Sequence, residues 1–287
     1  QRIMTILGTG EAFGAISILH ALGAGKGCSI PVKLPIRVNI YDVEMTNDED
    51  KHGILSIISS IWEEKGYPVP PVIGWEVISE IPIGQGLKSS SALSCAAIRA
   101  LDKASWTCLS DYEIVDLAVE AQRRSGCTIS GSMDDTWATL TSGWKAVDPS
   151  KTPEESILFE GDIEPGFSVL IGLRGSRKSD IIIESFHKNS QIFDRALASL
   201  INGSILDSLS SNGMAVASST DDFEALRISN LMIASGAVAA GISGSGPAIA
   251  VVCYASDSEY IGAQLSELCD EVISTQFLLS KELVEGA

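Results

Sequence analysis

The segment Pro82-Ile83-Gly84-Gln85-Gly86-Leu87-Lys88-Ser89-Ser90-Ser91-Ala92 gathers the groups that an anion needs. Gly84 and Gly86 let the backbone come close to a charged ligand, consecutive serine hydroxyls add donors, and Lys88 adds a point charge. Upstream, Trp75, Val77 and Ser79 alternate as in a strand; downstream, Leu93, Ala97 and Leu101 recur four apart as in a helix. The segment therefore falls where a helix opens, and the first turn presents unpaired N–H groups and the positive end of the dipole. Phosphate fits this chemistry. The spacing matches neither the G-x-x-x-x-G-K-[ST] loop nor the dinucleotide fingerprint. The plain alternative is a capped helix after a tight turn, but a turn alone has no need of the proline, the leucine and the serine run together.

A second constellation is Thr128-Ile129-Ser130-Gly131-Ser132-Met133-Asp134-Asp135. Phosphoryl transfer is mostly positioning and charge neutralisation, and one carboxylate can orient the attacking hydroxyl and take its proton. Neighbouring side chains of a regular element cannot both face one atom, so one aspartate is expected to be the catalyst and the other structural or a helix cap. Gly241-Ile242-Ser243-Gly244-Ser245-Gly246-Pro247-Ala248 forms a further glycine loop, which alone reads as a tight turn. Arg123, Arg124, Arg174, Arg177 and Lys178 are the basic groups available to an anionic substrate, with surface solvation as the default for each.

These residues need elements to hold them. Ile3 to Leu7 reads as a strand, Gly8 to Gly27 as a glycine-rich connection, and Leu34 to Ile40 as a half-buried strand that Pro35 places at an edge. A polar turn, Thr46 to Lys51, leads to a helix over Ile54 to Lys65, closed by Gly66 and Pro68. Ser110 and Glu113 are spaced as a capping box for a helix that buries Ile114, Leu117, Ala118 and Ala121 and ends near Arg124. Asp148 to Glu155 is polar and contains prolines, as an interdomain linker does. Beyond it come a strand over Ser168 to Leu173, helices from Gln191, Ser204 and Asp222, a strand over Ala248 to Tyr254, and a helix and strand over Ser258 to Leu279.

With 287 residues, 45% of them apolar, the chain can build two lobes around a sizeable core. A formal charge of -17 disfavours nucleic acid and anionic lipid as partners, so an anionic substrate needs a local basic pocket. Six cysteines without a C-x-x-C pair, and three histidines, spell out neither a zinc site nor a disulfide framework, and the thiols are expected to be reduced. No apolar run approaches the roughly 18 to 20 residues of a membrane span, and Gln1 to Gly10 lacks the layout of a secretory signal. A soluble, cytoplasmic protein is predicted; its oligomeric state is not legible.

The serine-rich segment resembles the second motif of the GHMP kinases, and Gly86-Leu87-Lys88-Ser89-Ser90-Ser91-Ala92 resembles its archaeal shikimate kinase branch, with lysine where most members carry glycine. The loop from Gly241 to Ala248 is similar to the third motif. The stretch Gly131 to Asp135 is similar to the Gly-x-x-Asp-Asp of the branch. Ala15 to Gly27 resembles the first motif, with His20 where asparagine is expected. These stretches and the Asn212-Gly213 region occur in family order.

The resemblance implies an α+β, two-domain GHMP kinase fold: residues 1–150 as the N-terminal nucleotide-loop domain, residues 151–287 as a ferredoxin-like C-terminal domain, and the active site between them. It implies ATP bound by Pro82 to Ala92 with Gly244, Ser245 and Gly246, and Asp134 as the base with Asp135 in support. Mg2+ is implied on Ser90 and Glu120, and substrate contacts from Arg174, Arg177 and Lys178, on a loop that approaches the substrate in the family. The implied reaction moves the γ-phosphoryl group of ATP to the 3-hydroxyl of shikimate, on the route to chorismate and the aromatic amino acids. The alternatives are another GHMP alcohol kinase, such as one acting on homoserine, or a nucleotide-binding relative without catalysis.

Overall fold

The computed structural model describes residues 4–45, 50–128, 132–177 and 180–280. It opens with two long antiparallel strands, β1 (Ile6–Leu19) and β2 (Gly27–Tyr41), joined through the short helix α1 (Ala21–Ala24). Helix α2 (Ile54–Glu64) and strand β3 (Gly74–Ser79) follow, then helices α3 (Ser89–Ser105), α4 (Asp111–Ser125) and α5 (Met133–Leu140). Strand β4 (Trp144–Val147), the one-turn helix α6 (Pro153–Ser156) and β5 (Ile157–Gly161) complete the first sheet, in the order β1-β2-β4-β5 with β3 paired to the far end of β2.

The first part of the glycine-rich stretch expected to be a connection, residues 8–19, is instead the body of β1, and only residues 20–26 connect it to β2. Its glycines are there for packing. A Cβ on Gly8 would run into the backbone at Ala100 and Ala104, and one on Gly10 into the backbone at Ala96 and Ala100. Helix α3 answers with small residues of its own, so helix and strand meet backbone to backbone. Pro35 does not mark an edge: β2 is flanked by β1 on one side and by β3 and β4 on the other. The proline is tolerated because it lies just beyond the end of the β3 ladder, next to a shift in the β1–β2 register.

The second half starts with β6 (Phe167–Leu173) and the helices α7 (Ile183–Lys188), α8 (Ser190–Ile201), α9 (Ile205–Ser219) and α10 (Phe223–Ala234). Strands β7 (Ala239–Ile242) and β8 (Ile249–Tyr254), helix α11 (Ser258–Ser266) and β9 (Glu271–Thr275) follow. The strand order β7-β8-β6-β9, antiparallel throughout, is the split β-α-β-β-α-β arrangement of a ferredoxin-like unit.

Residues 148–155 are not the linker that their composition suggests. They close the turn between β4 and β5, which pair with each other, with Asp148 N–H bonded to the Ser156 carbonyl at 2.8 Å. The passage from the first sheet to the second falls at 162–166, where we would divide the chain instead of at 150. The larger of two apolar clusters runs through both halves, joining Ile16, Val32 and Leu101 to Val169, Leu209 and Val252, while the other, around Phe186, Phe193, Ile228 and Val251, lies in the second half. The end of the described chain also returns to the first sheet, since Gln276 accepts from Lys33 N–H and Leu278 donates to Pro31.

Candidate functional site

After β3 the chain turns through Gly84 (φ 72°) and Gly86 (φ 82°), then enters α3 from Lys88, itself left-handed at φ 65°. Glycine at 86 is obligatory on two counts: the positive φ, and the carbonyl of Ser243 lying where a Cβ would stand. The Gly244 loop is clasped to this loop by Ser243 Oγ donating to Gly86 O at 2.9 Å and by Ala248 N–H donating to Gln85 O at 3.2 Å. Ser17 on β1 holds it from below, accepting from Gly244 N–H at 3.0 Å. The two glycine loops, remote in sequence, therefore form one wall. Ser91 Oγ donates to Gln122 at 2.8 Å, whereas the Ser89 and Ser90 hydroxyls bond to nothing among the described residues and line the cavity.

Across a cavity of about 530 Å³, α5 presents both aspartates in its first turn. Asp135 Oδ1 receives Lys88 Nζ at 2.9 Å and Ser29 Oγ at 2.9 Å. This ion pair explains a lysine in a left-handed position: the conformation costs about 1–2 kcal/mol for a residue with a Cβ, and the loop keeps the side chain that faces the aspartate. Asp134 is 6% exposed and lies against Gly27, where any Cβ would meet its carboxyl group. No side chain among the described residues hydrogen-bonds to it. Burial, and then the charge of Asp135, push its pKa up to about 7, against a smaller downward pull from Lys88.

His20 caps α1, its Nδ1 accepting from Leu22 N–H at 3.2 Å, so the ring proton sits on Nε2. The His20 backbone N–H donates to Oδ1 of the buried Asn212 at 2.8 Å, tying the end of β1 to α9. Desolvation, and then Lys88, lower its pKa to about 4. It lines the cavity as a neutral ring.

The expected ligands divide sharply. Glu120 is not in the cavity: it points outward from α4 and pairs with Arg124 at 2.8 Å. Two residues, roughly half a helical turn, decide this, because the inward position belongs to Gln122, which bridges Ser91 and Thr136. Arg124 also reaches Glu64, and Arg123 is exposed. Arg174 is already paired with both oxygens of Asp222 and lines a separate cavity of about 550 Å³. Arg177 lies at the rim of the aspartate cavity and, among the described residues, bonds only to the Gly246 carbonyl, at 3.4 Å. Lys178 and Gly131 lie outside the described residues. The sequence reading missed Ser29 and Gln122, whose only signal is a polar residue inside an otherwise apolar strand or helix face.

Residues 54–143 match the family model of the GHMP kinases N terminal domain. The chain is 33% identical over 226 residues to the shikimate kinase of Pyrococcus abyssi, covering 72% of this chain and 78% of that one. It is 29% identical over 244 residues to the shikimate kinase of Thermoplasma acidophilum, covering 82% and 83%. Among solved structures it superposes on a mevalonate kinase with a TM-score of 0.69 at 15% identity, covering 94% and 99%, and on a putative homoserine kinase from Listeria monocytogenes at 0.66 and 18%, covering 95% and 97%. A long antiparallel β1–β2 pair, a ferredoxin-like partner and two glycine loops facing an aspartate pair thus come together with sequence kinship over most of the chain, which belongs to the GHMP kinases, in the branch of the archaeal shikimate kinases.

Proposed function

We propose that the chain transfers the γ-phosphoryl group of ATP to the 3-hydroxyl of shikimate. The observation that carries this reading is Asp134: a buried carboxyl poised near pH 7 faces the same cavity as the uncommitted hydroxyls of Ser89 and Ser90. The helix start, those hydroxyls and Lys88 hold the phosphates. Asp134 accepts the proton of the attacking hydroxyl as its oxygen bonds to the γ-phosphorus; the bond to the bridging oxygen breaks and ADP leaves. Asp135 fixes Lys88, and Arg177 meets the carboxylate of the acceptor.

Magnesium requires oxygen donors, and the cavity offers the Ser90 hydroxyl and the second oxygen of Asp135, so the residues fit the ion even though Glu120 is elsewhere. When bound, it neutralises charge on the phosphate oxygens. The test is ADP release measured with shikimate and with homoserine as acceptors. Shikimate-dependent release is expected; release with homoserine instead moves the assignment within the family, and none with either leaves a nucleotide-binding relative.

A further inference from the structure

Gln85 makes contacts that neither phosphate binding nor proton transfer explains. It sits between Gly84 and Gly86 in the phosphate loop, but its side chain reaches the loop that follows β6. There Nε2 donates to the Gly175 carbonyl at 2.6 Å, and Oε1 accepts from Arg174 N–H at 3.3 Å. Two bonds from one planar amide to neighbouring backbone groups fix orientation as well as distance, much as a strand pair would. The Gln85 carbonyl meanwhile accepts from Ala248 N–H, at the start of β8.

The far side of the clasp is held in turn. Gly175 N–H donates to Asp270 at 2.7 Å, and Arg174 is locked to Asp222. Two residues on is Arg177, at the rim of the catalytic cavity. On the near side, Gly86 is pressed against Ser243, whereas Gly84 has open space around it. The phosphate loop thus has one fixed flank and one free flank, with the clasp between them.

We propose that Gln85 is a positioning residue that couples the phosphate loop to the loop from Arg174 to Arg177, so that nucleotide and anionic acceptor each bind more tightly when the other is present. The coupling rests on the functional reading above, in which the first loop takes ATP and Arg177 takes the acceptor carboxylate. Whichever ligand binds first restricts the two clasped loops as a unit, the free flank at Gly84 included, and the second no longer bears that entropic cost. Linkage makes the effect reciprocal, with one factor in both directions.

The experiment measures dissociation constants of a non-hydrolysable ATP analogue with and without saturating shikimate, and of shikimate with and without the analogue. The wild type should show the same tightening both ways, about fivefold or more. Gln85→Ala should bring the factor close to one, whatever it does to either affinity alone. Gln85→Glu keeps an acceptor for Arg174 N–H but sets an oxygen against the Gly175 carbonyl, and should also lose the coupling. Gln85→Met, which keeps the volume, replaces the alanine variant if that one melts early. A wild-type factor of one, or a well-folded variant that keeps the full factor, overturns the coupling while leaving the kinase reading intact. A wild type that binds the analogue but neither binds nor phosphorylates shikimate overturns the functional reading and the coupling with it.

Discussion

Asp134 carries the most consequence of any single residue. Its pKa in the folded chain, about 7, lies above the ordinary carboxyl value near 3.9. A proton is therefore held more tightly folded than unfolded, so this group favours folding most at low pH, and that contribution is lost as pH rises through about 7. In the proposed reaction activity runs the other way, because Asp134 acting as the base must be ionised: kcat/KM for shikimate should climb with pH through about 7. Asp134→Asn should lower kcat by roughly 10²-fold or more, yet raise Tm by a few degrees at pH 8, where it removes a buried charge, and by less at pH 5. Melting curves and initial rates at both pH values check this, and a variant less stable at pH 8 would contradict the electrostatic account. Lys88 supplies a companion prediction. Lys88→Gly relieves the left-handed backbone but strips Asp135 of its cation, so the fold should survive while KM for ATP rises about tenfold or more. The loop and both aspartates were legible because their residue types cluster in the chain. Ser29 and Gln122 were not, since each meets the site only through what the fold sets opposite it.

At the scale of elements, sequence signals served best where local chemistry ends a helix. The capping box of α4 is present as spaced, Ser110 and Glu113 bonding reciprocally, and Gly126 closes the helix in the left-handed conformation. Such signals are local, so they survive without tertiary knowledge. The long β1 was illegible for the opposite reason. Gly8 and Gly10 lower strand propensity and read as a connection, and only the arrival of α3 against their backbone explains them. Residues 148–155 failed similarly, because a polar turn within a hairpin and a linker between lobes share a composition. The packing reading is testable with Gly10→Ala. The methyl group would meet the helix backbone of Ala96 and Ala100, which cannot rotate away as a side chain could. Overpacking typically costs 1–3 kcal/mol, and here about 3 kcal/mol or more is expected from urea unfolding. An exposed control, Gly66→Ala, has open space but a positive φ of 73°, and should cost only about 1–2 kcal/mol. Equal losses in the two variants would remove the close-packing explanation of β1.

The molecule as a whole has a site made of two halves and a core that does not respect the division. His20 N–H to Asn212, Gly244 N–H to Ser17 and Ser208 Oγ to Ile18 O all cross between β1 and the second half, and each connects polar groups removed from bulk water. The same apolar cluster contains Ile16 and Ile30 from the first sheet and Ala196, Leu209 and Ala250 from the second half. The final described residues lie back on β2 through the Val32–Phe277 bridge and the Leu278 bond to Pro31. Two lobes with separate cores and a thin cleft would unfold separately, but here opening one half strips apolar surface from the other at about 25 cal/mol per Å². Heat should therefore unfold both halves in a single cooperative transition, with calorimetric and van't Hoff enthalpies in agreement. Tryptophan fluorescence provides a probe for the first half, since Trp62, Trp137 and Trp144 are buried there and the second half has no tryptophan, while far-ultraviolet circular dichroism reports both. The two melting curves should coincide, and a fragment ending at residue 164 should show no cooperative melt, because it leaves the β1 face that meets α8 and α9 bare. Separate transitions, or a fragment that melts cooperatively, would mean that the halves are autonomous and that the cleft, with Asp134 and Asp135 on one side and Arg177 on the other, is assembled only by its ligands.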